Sequence, residues 1–214
     1  MGTETTFAGL IAAPESEKVF LCEVKPAELL VGTEFDPWVS GYVSVYPPAH
    51  SDTYVKATTK LNDAFQPYYC SDPLKSVIGL SGNNAWISAS STNQRFHFDF
   101  GIGSILKRIY YENYHAAGLS TSAGANNFTL WGSNSAADFA DLVYANDGTW
   151  VNLTAGLSQS TFDQHAAADA ADPKYITSTN LIAYRYYAFK FADNYGGPAY
   201  LGVRRIELQA AVTG

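Results

Sequence analysis

The chain has 214 residues, 47% of them hydrophobic and 15% charged, with a formal net charge of -7. That length and apolar content support one substantial core and exclude a disordered chain. The acidic balance shows no basic patch and so excludes a nucleic-acid surface, while no apolar run approaches the roughly 18 residues of a membrane span.

The aromatic load is high, with 15 Tyr, 12 Phe and 4 Trp. Rings of this kind fill a β-core, and Tyr and Trp also supply contact surfaces with a polar handle. The N-terminus, Met1-Gly2-Thr3-Glu4-Thr5-Thr6, carries neither a basic leader nor a long apolar stretch, so no secretory signal is expected. Cys22 and Cys70 are the two cysteines, and their spacing leaves a bond between them and two free thiols equally open. The histidines, His50, His97, His115 and His165, are scattered without zinc spacing.

In chain order, residues 1–53 read as an N-terminal extension, with a strand at Val19-Phe20-Leu21-Cys22-Glu23-Val24 and Pro- and Gly-rich loops as far as Pro47-Pro48. Its apolar content suits packing or oligomerisation better than a free tail. From residue 54, short strand-like runs alternate with turn clusters, which predicts an all-β sandwich over 54–214. Strands are predicted at 54–59, 94–100, 105–114, 126–132, 149–153, 173–179, 183–191 and 200–209. Turns fall at Ser81-Gly82-Asn83-Asn84, Asn146-Asp147-Gly148 and Asn194-Tyr195-Gly196-Gly197. Gly101-Ile102-Gly103-Ser104 reads as a hairpin turn. One short helix is expected at 135–139 with Ser135 as its cap, and a helical turn at 165–171 that Asp172-Pro173 ends.

Several of these runs carry a family likeness. Trp86-Ile87-Ser88, then Phe96-His97-Phe98-Asp99-Phe100-Gly101, Phe128-Thr129-Leu130-Trp131-Gly132-Ser133 and Trp150-Val151-Asn152-Leu153 follow one another along the chain. Tyr184-Arg185-Tyr186-Tyr187-Ala188-Phe189 and Gly202-Val203-Arg204-Arg205-Ile206-Glu207-Leu208 complete the order. Together they resemble the discoidin or coagulation-factor C-type family, with the galactose-binding-like jelly-roll sandwich also used by carbohydrate-binding modules, over roughly residues 54–211. The resemblance implies that Trp86 packs under the loops, that Asp99 is structural, and that ligands meet loops at one end of the sandwich. Arg185 and Arg204 are expected to pair with buried carboxylates or carbonyls.

Three loops carry side chains suited to a sugar. Glu112, Asn113, Tyr114 and His115 follow one strand, Asp193, Asn194, Tyr195 and Tyr200 precede the last, and Asn83 and Asn84 precede Trp86, with Arg95 beyond. The expected ligand-binding set is Tyr195, Asn194, Tyr114, His115, Arg95 and Asn84, with Tyr195 as the exposed stacking ring because it sits beside Gly196-Gly197-Pro198. The resemblance also implies a structural calcium, for which Glu207 fits one ligand position. Asn83 stands where an Asp-Gly turn is expected, which lowers the affinity such a site would have.

None of the Gly-x-Ser-x-Gly, His-Glu-x-x-His or phosphate-loop motifs occurs. The expected function is therefore a non-catalytic carbohydrate-binding or adhesion module for a cell-surface glycan, suited to a phage or virus host-attachment component. It would be extracellular or virion-associated and a homo-oligomer such as a trimer, without membrane insertion. The alternative is a structural subunit of a tail or other appendage that binds only protein.

Overall fold

Alternation of apolar and polar residues drives the architecture. In the computed structural model, which describes residues 41–212, Phe96, Phe98 and Phe100 point into the core, and the intervening Arg95, His97 and Asp99 point to the other side of their strand. Each buried phenylalanine contributes about 1.5–3 kcal/mol relative to exposure.

Among the described residues, ten strands form two antiparallel sheets. They are β1 (Tyr42–Val45), β2 (Val55–Ala57), β3 (Trp86–Ile87), β4 (Gln94–Ser104), β5 (Arg108–Asn113), β6 (Phe128–Ser133), β7 (Val151–Asn152), β8 (Lys174–Thr177), β9 (Tyr184–Phe191) and β10 (Gly202–Ala211). Sheet I runs β1-β10-β5-β8, with β3 also on β10, and sheet II runs β2-β4-β9-β6-β7. Between them lie Phe96, Phe98, Phe128, Phe189 and Phe191 from sheet II against Ile109, Tyr111, Ile176, Ile206 and Leu208 from sheet I. This is the all-β sandwich that the sequence predicts.

The eight predicted strands all occur, most of them shortened at their ends. Two strands escape the sequence reading: β3, of two residues, and β1, which lies before residue 54 and pairs along β10 from Tyr42↔Ala211 to Val45↔Leu208. Residues 1–40, including Cys22 and the strand expected at 19–24, lie outside the described residues. Cys70 is a buried free thiol that accepts the Trp86 N–H at 3.1 Å and donates to the Val203 carbonyl at 3.0 Å. Burial pushes its pKa up to about 12.

Two local expectations are corrected. Gly101–Ser104 is the end of β4 instead of a hairpin turn, and the pairing with β9 shifts between Asp99 and Ser104. Gly101 adopts φ +73° there, and its N–H is held by Asp99 Oδ1 at 2.7 Å, so the strand bulges and continues. The helical turn expected at 165–171 does not form, because the His165 side chain bonds back to the Ala170 carbonyl at 3.1 Å and Asp172 accepts the Ala166 N–H. The other short helix does form, as α1 (Ala136–Ala140), with Ser135 at its N-cap position but without a side-chain cap bond.

Candidate binding site

The strand order carries the loops before β3, after β5 and before β10 to the same end of the sandwich. Val203 of β10 pairs with Trp86 on one side and Asn113 on the other. Gly202 lies so close to Tyr114 and the Trp86 carbonyl that a Cβ would stand 2.7 and 3.0 Å from them. Beyond it, Tyr195 N–H donates to the Ser122 carbonyl at 3.1 Å, and Gly197 packs where a Cβ would meet Ser122 at 2.6 Å. The three loops named from the sequence thus converge.

Convergence does not leave their side chains free. Tyr114 is buried, with its hydroxyl 3.0 Å from Ser81 Oγ, and burial raises its pKa. His115 is fully buried, accepts the Gly118 N–H on Nδ1 at 2.9 Å and places Nε2 2.7 Å from the Val77 carbonyl. Those partners fix the neutral tautomer with its proton on Nε2. Burial lowers its pKa, and its ring stacks on His165 at 4.0 Å. Arg204 bonds to the Gly79 and Leu80 carbonyls beneath the same loops, and burial lowers its pKa.

Asn194 is likewise consumed by its own loop. Its Nδ2 donates to the carbonyls of Pro198 and Tyr200 at 2.9 and 2.8 Å, and its Oδ1 accepts the Gly196 N–H at 3.0 Å. Asn84 accepts from Ser76 N–H at 3.1 Å and donates to the Gly82 carbonyl at 3.2 Å. Tyr195, expected as the exposed ring, is half-buried instead, because its hydroxyl reaches the Phe162 carbonyl. Arg95 is fully buried and turned into the 143–147 loop, where it bonds the carbonyls of Val143 and Asn146 and the Asp147 carboxylate.

The residues matched to calcium do not fit an ion. Both Glu207 carboxylate oxygens are taken, one by Arg205 at 3.0 Å and the other by Ser44 at 2.5 Å and Tyr46 at 3.1 Å. A guanidinium so close opposes a cation. Asn83 is exposed in the left-handed region at φ 61°, with its Oδ1 3.5 Å from the Tyr69 hydroxyl, and shares no partner with Glu207. Among the described residues no three His, Cys, Asp or Glu side chains are grouped to hold a metal.

What stays open at this end is a different set. Tyr200 is half-buried, stands edge-on to Tyr114 at 6.4 Å, and its hydroxyl has no hydrogen-bond partner among the described residues. Phe65 packs with it against the cluster of Ala85, Ile87, Tyr114 and Ala123. Asn83 joins them through its N–H, which donates to the Ala64 carbonyl at 2.8 Å beside Phe65. Partly exposed rings on such a cluster can take the apolar face of a sugar, and polar groups of the adjoining loops one or two of its hydroxyls. Tyr200 was in reach of the sequence reading as a loop residue; Phe65, in a stretch without strand or turn periodicity, was not.

Asp99 has the structural role that the resemblance implies, and Arg185 pairs with a buried carboxylate as expected, the two forming a two-point ion pair at 2.8 and 2.9 Å. Trp86 is fully buried, with its indole N–H donating to the Thr59 carbonyl at 2.9 Å.

No protein-family model and no curated protein matches the sequence. Solved structures do match in fold. A selenomethionine-labelled mutant of chitosan-binding module 1, from a Paenibacillus sp. IK-5 chitosanase/glucanase, superposes with a TM-score of 0.53 at 15% identity, covering 79% of this chain and 100% of that one. The family 32 carbohydrate-binding module of C. perfringens NanJ, solved with galactose, gives 0.50 at 10% identity over 79% and 99%. A truncated AlyQ with a family 32 module and an alginate lyase domain gives 0.50 at 13% identity over 80% of this chain and 34% of that one. The chain therefore has the sandwich fold of these carbohydrate-binding modules.

Proposed function

We propose that this protein is a non-catalytic carbohydrate-binding module that takes a neutral sugar at the loop end of the sandwich. The observation that carries the reading is that two half-open rings, Tyr200 and Phe65, pack on one buried cluster, with the backbone of the exposed Asn83 bonded to Ala64, the neighbour of Phe65. The fold likeness to modules whose structures hold galactose or bind chitosan supports it by analogy. The site is shallow, so single-site affinity is modest, and display of several copies on a phage or virus attachment protein outside the cell would raise it. Residues 1–53 would supply the packing or oligomerising segment, its β1 packing within the sandwich against β10.

A glycan-array screen of the purified protein beside Tyr200→Ala tests this. Specific binding that falls at least about tenfold in the variant, the loss expected for one stacking ring, supports the site. Binding that survives in Tyr200→Ala but disappears in Tyr195→Ala would move it to the neighbouring turn.

One observation favours the second reading, a structural subunit that binds only protein. Leu74, Leu80 and Leu119 are 92%, 77% and 70% exposed at the same end, and the backbone of Ala117 bonds to Gly79, joining their loops. An apolar rim of that kind suits a protein contact. A folded sample that binds no glycan and self-associates through Leu80 would decide for it.

A further inference from the structure

We propose that the outer face of sheet I carries a second saccharide site, separate from the loop end and selective for sugars that bear a carboxylate or sulfate. The observation is a three-residue stack. The Arg108 guanidinium of β5 lies 4.0 Å from the ring centroid of Tyr42 on β1 and 4.3 Å from that of Tyr175 on β8. Both rings come from strands at the ends of the described sheet order, are 41% and 50% exposed and belong to none of the buried clusters, while Tyr175 also meets the Tyr110 ring at 5.5 Å.

The stack fixes a donor fork and leaves it unused. Arg108 Nε–H donates to Gln209 Oε1 at 2.6 Å, while the two terminal guanidinium nitrogens and the hydroxyls of Tyr42 and Tyr175 have no partner among the described residues. A guanidinium held against two rings loses little freedom when it binds a planar anion in two-point fashion.

Charge points the same way. Lys107, next in sequence, donates to the Asn180 carbonyl at 2.6 Å and keeps two donors free. Among the described residues, neither Lys107 nor Arg108 has a carboxylate within ion-pair distance, although the chain carries a net charge of -7. By contrast Arg95, Lys190 and Arg205 are all paired.

The same corner of the sheet holds a cavity of about 210 Å³, lined by Tyr42, Lys107, Thr177 and Ser178 among others. It falls short of the roughly 300–1,000 Å³ typical of drug-sized ligands, which suits one sugar ring. The ring would rest on Tyr42 or Tyr175, its anionic group would meet Arg108 and Lys107, and its hydroxyls the exposed Thr177 side chain.

The test is titration calorimetry of the whole chain with a galacturonate trisaccharide, a heparin-derived tetrasaccharide and a neutral galactose trisaccharide, at low and raised salt. Arg108→Gln, Tyr175→Ala and Tyr200→Ala are compared after circular dichroism confirms their fold. Binding of either anionic probe that weakens with salt, falls about tenfold or more in Arg108→Gln, and persists in Tyr200→Ala supports the proposal. Which probe binds then says whether the group is a carboxylate or a sulfate. Three results overturn it: no anionic probe binds, the neutral probe binds as well through the same variants, or binding is lost only in Tyr200→Ala. The last would leave the loop-end reading standing and this one not.

Discussion

The outer faces of the two sheets use the same chemistry to opposite ends. On sheet II, α1 and the 141–150 loop close over the strands, burying Phe139, Trp150 and Tyr186 and tying Arg95 and Lys190 to Asp147 at 3.0 and 2.6 Å. On sheet I nothing among the described residues covers Tyr42, Arg108 and Tyr175, and their cation meets no carboxylate. Aromatic rings beside a cation are therefore buried structure in one place and exposed surface in the other. What separates them is cover and charge pairing: the buried cations of sheet II meet the Asp147 carboxylate, although Arg95 Nη1, His97 Nε2 and Trp150 Nε1 have no hydrogen-bond partner among the described residues, whereas Arg108 on sheet I meets no carboxylate there.

Emptying the covered face should have the largest effect on stability. Trp150 is 7% exposed and its ring lies 5.1 Å from His97. Trp150→Ala is expected to cost about 3–5 kcal/mol by leaving a cavity under the loop. Chemical denaturation measures it, and a loss of less than about 1 kcal/mol would mean that the cover is loose.

A proton should do nearly as much. Burial is the main cause that lowers the His97 pKa to about 4, helped by the nearby Arg95 and Lys56 charges and opposed by its bond to the Phe139 carbonyl and by Asp141. Between the usual histidine value of about 6.5 and that lower value, the unfolded chain binds a proton that the folded chain refuses. Stability is therefore present in full above that window and falls as pH drops through it, by about 3 kcal/mol at its lower edge. His115, also lowered by burial, adds in the same direction. Denaturation midpoints at pH 7 and pH 5 should show the loss, with a shallower dependence in His97→Gln; an unchanged slope in that variant would place the pH sensitivity elsewhere.

The sequence could reveal the strands because their signal is local. Phe96, Phe98 and Phe100 against His97 and Asp99 show the period of two without any partner strand, and the family order of such runs fixed the fold class. β1 was out of reach because its evidence is its pairing with β10, some 160 residues away. The loop end was legible as a place and not as a set of free side chains. Asn194 bonds within its own loop, Tyr195 to Phe162, and Arg95 to residues about fifty positions downstream, and no spacing rule announces such partners. The side chains that remain available, Tyr200, Tyr42 and Tyr175, are those for which the fold finds no use, a property that only the packed chain reveals.

The open face of sheet I should respond least to substitution. If the stack on sheet I is a surface and not a strut, removing it should barely change stability. An exposed cation over a ring contributes about 0.5–1 kcal/mol, and Tyr175 supports no buried cluster. Tyr175→Ala and Arg108→Gln should thus each shift the unfolding free energy by no more than about 1 kcal/mol, and together by less than the sum, because both delete the same contact. A double-mutant cycle by urea denaturation reads both quantities. A loss of several kcal/mol, matching that of Trp150→Ala, would show that both outer faces are structural. A small loss would mean instead that the Tyr42–Arg108–Tyr175 arrangement is held in place without the fold depending on it, the condition under which a rigid donor fork can be kept ready for a ligand.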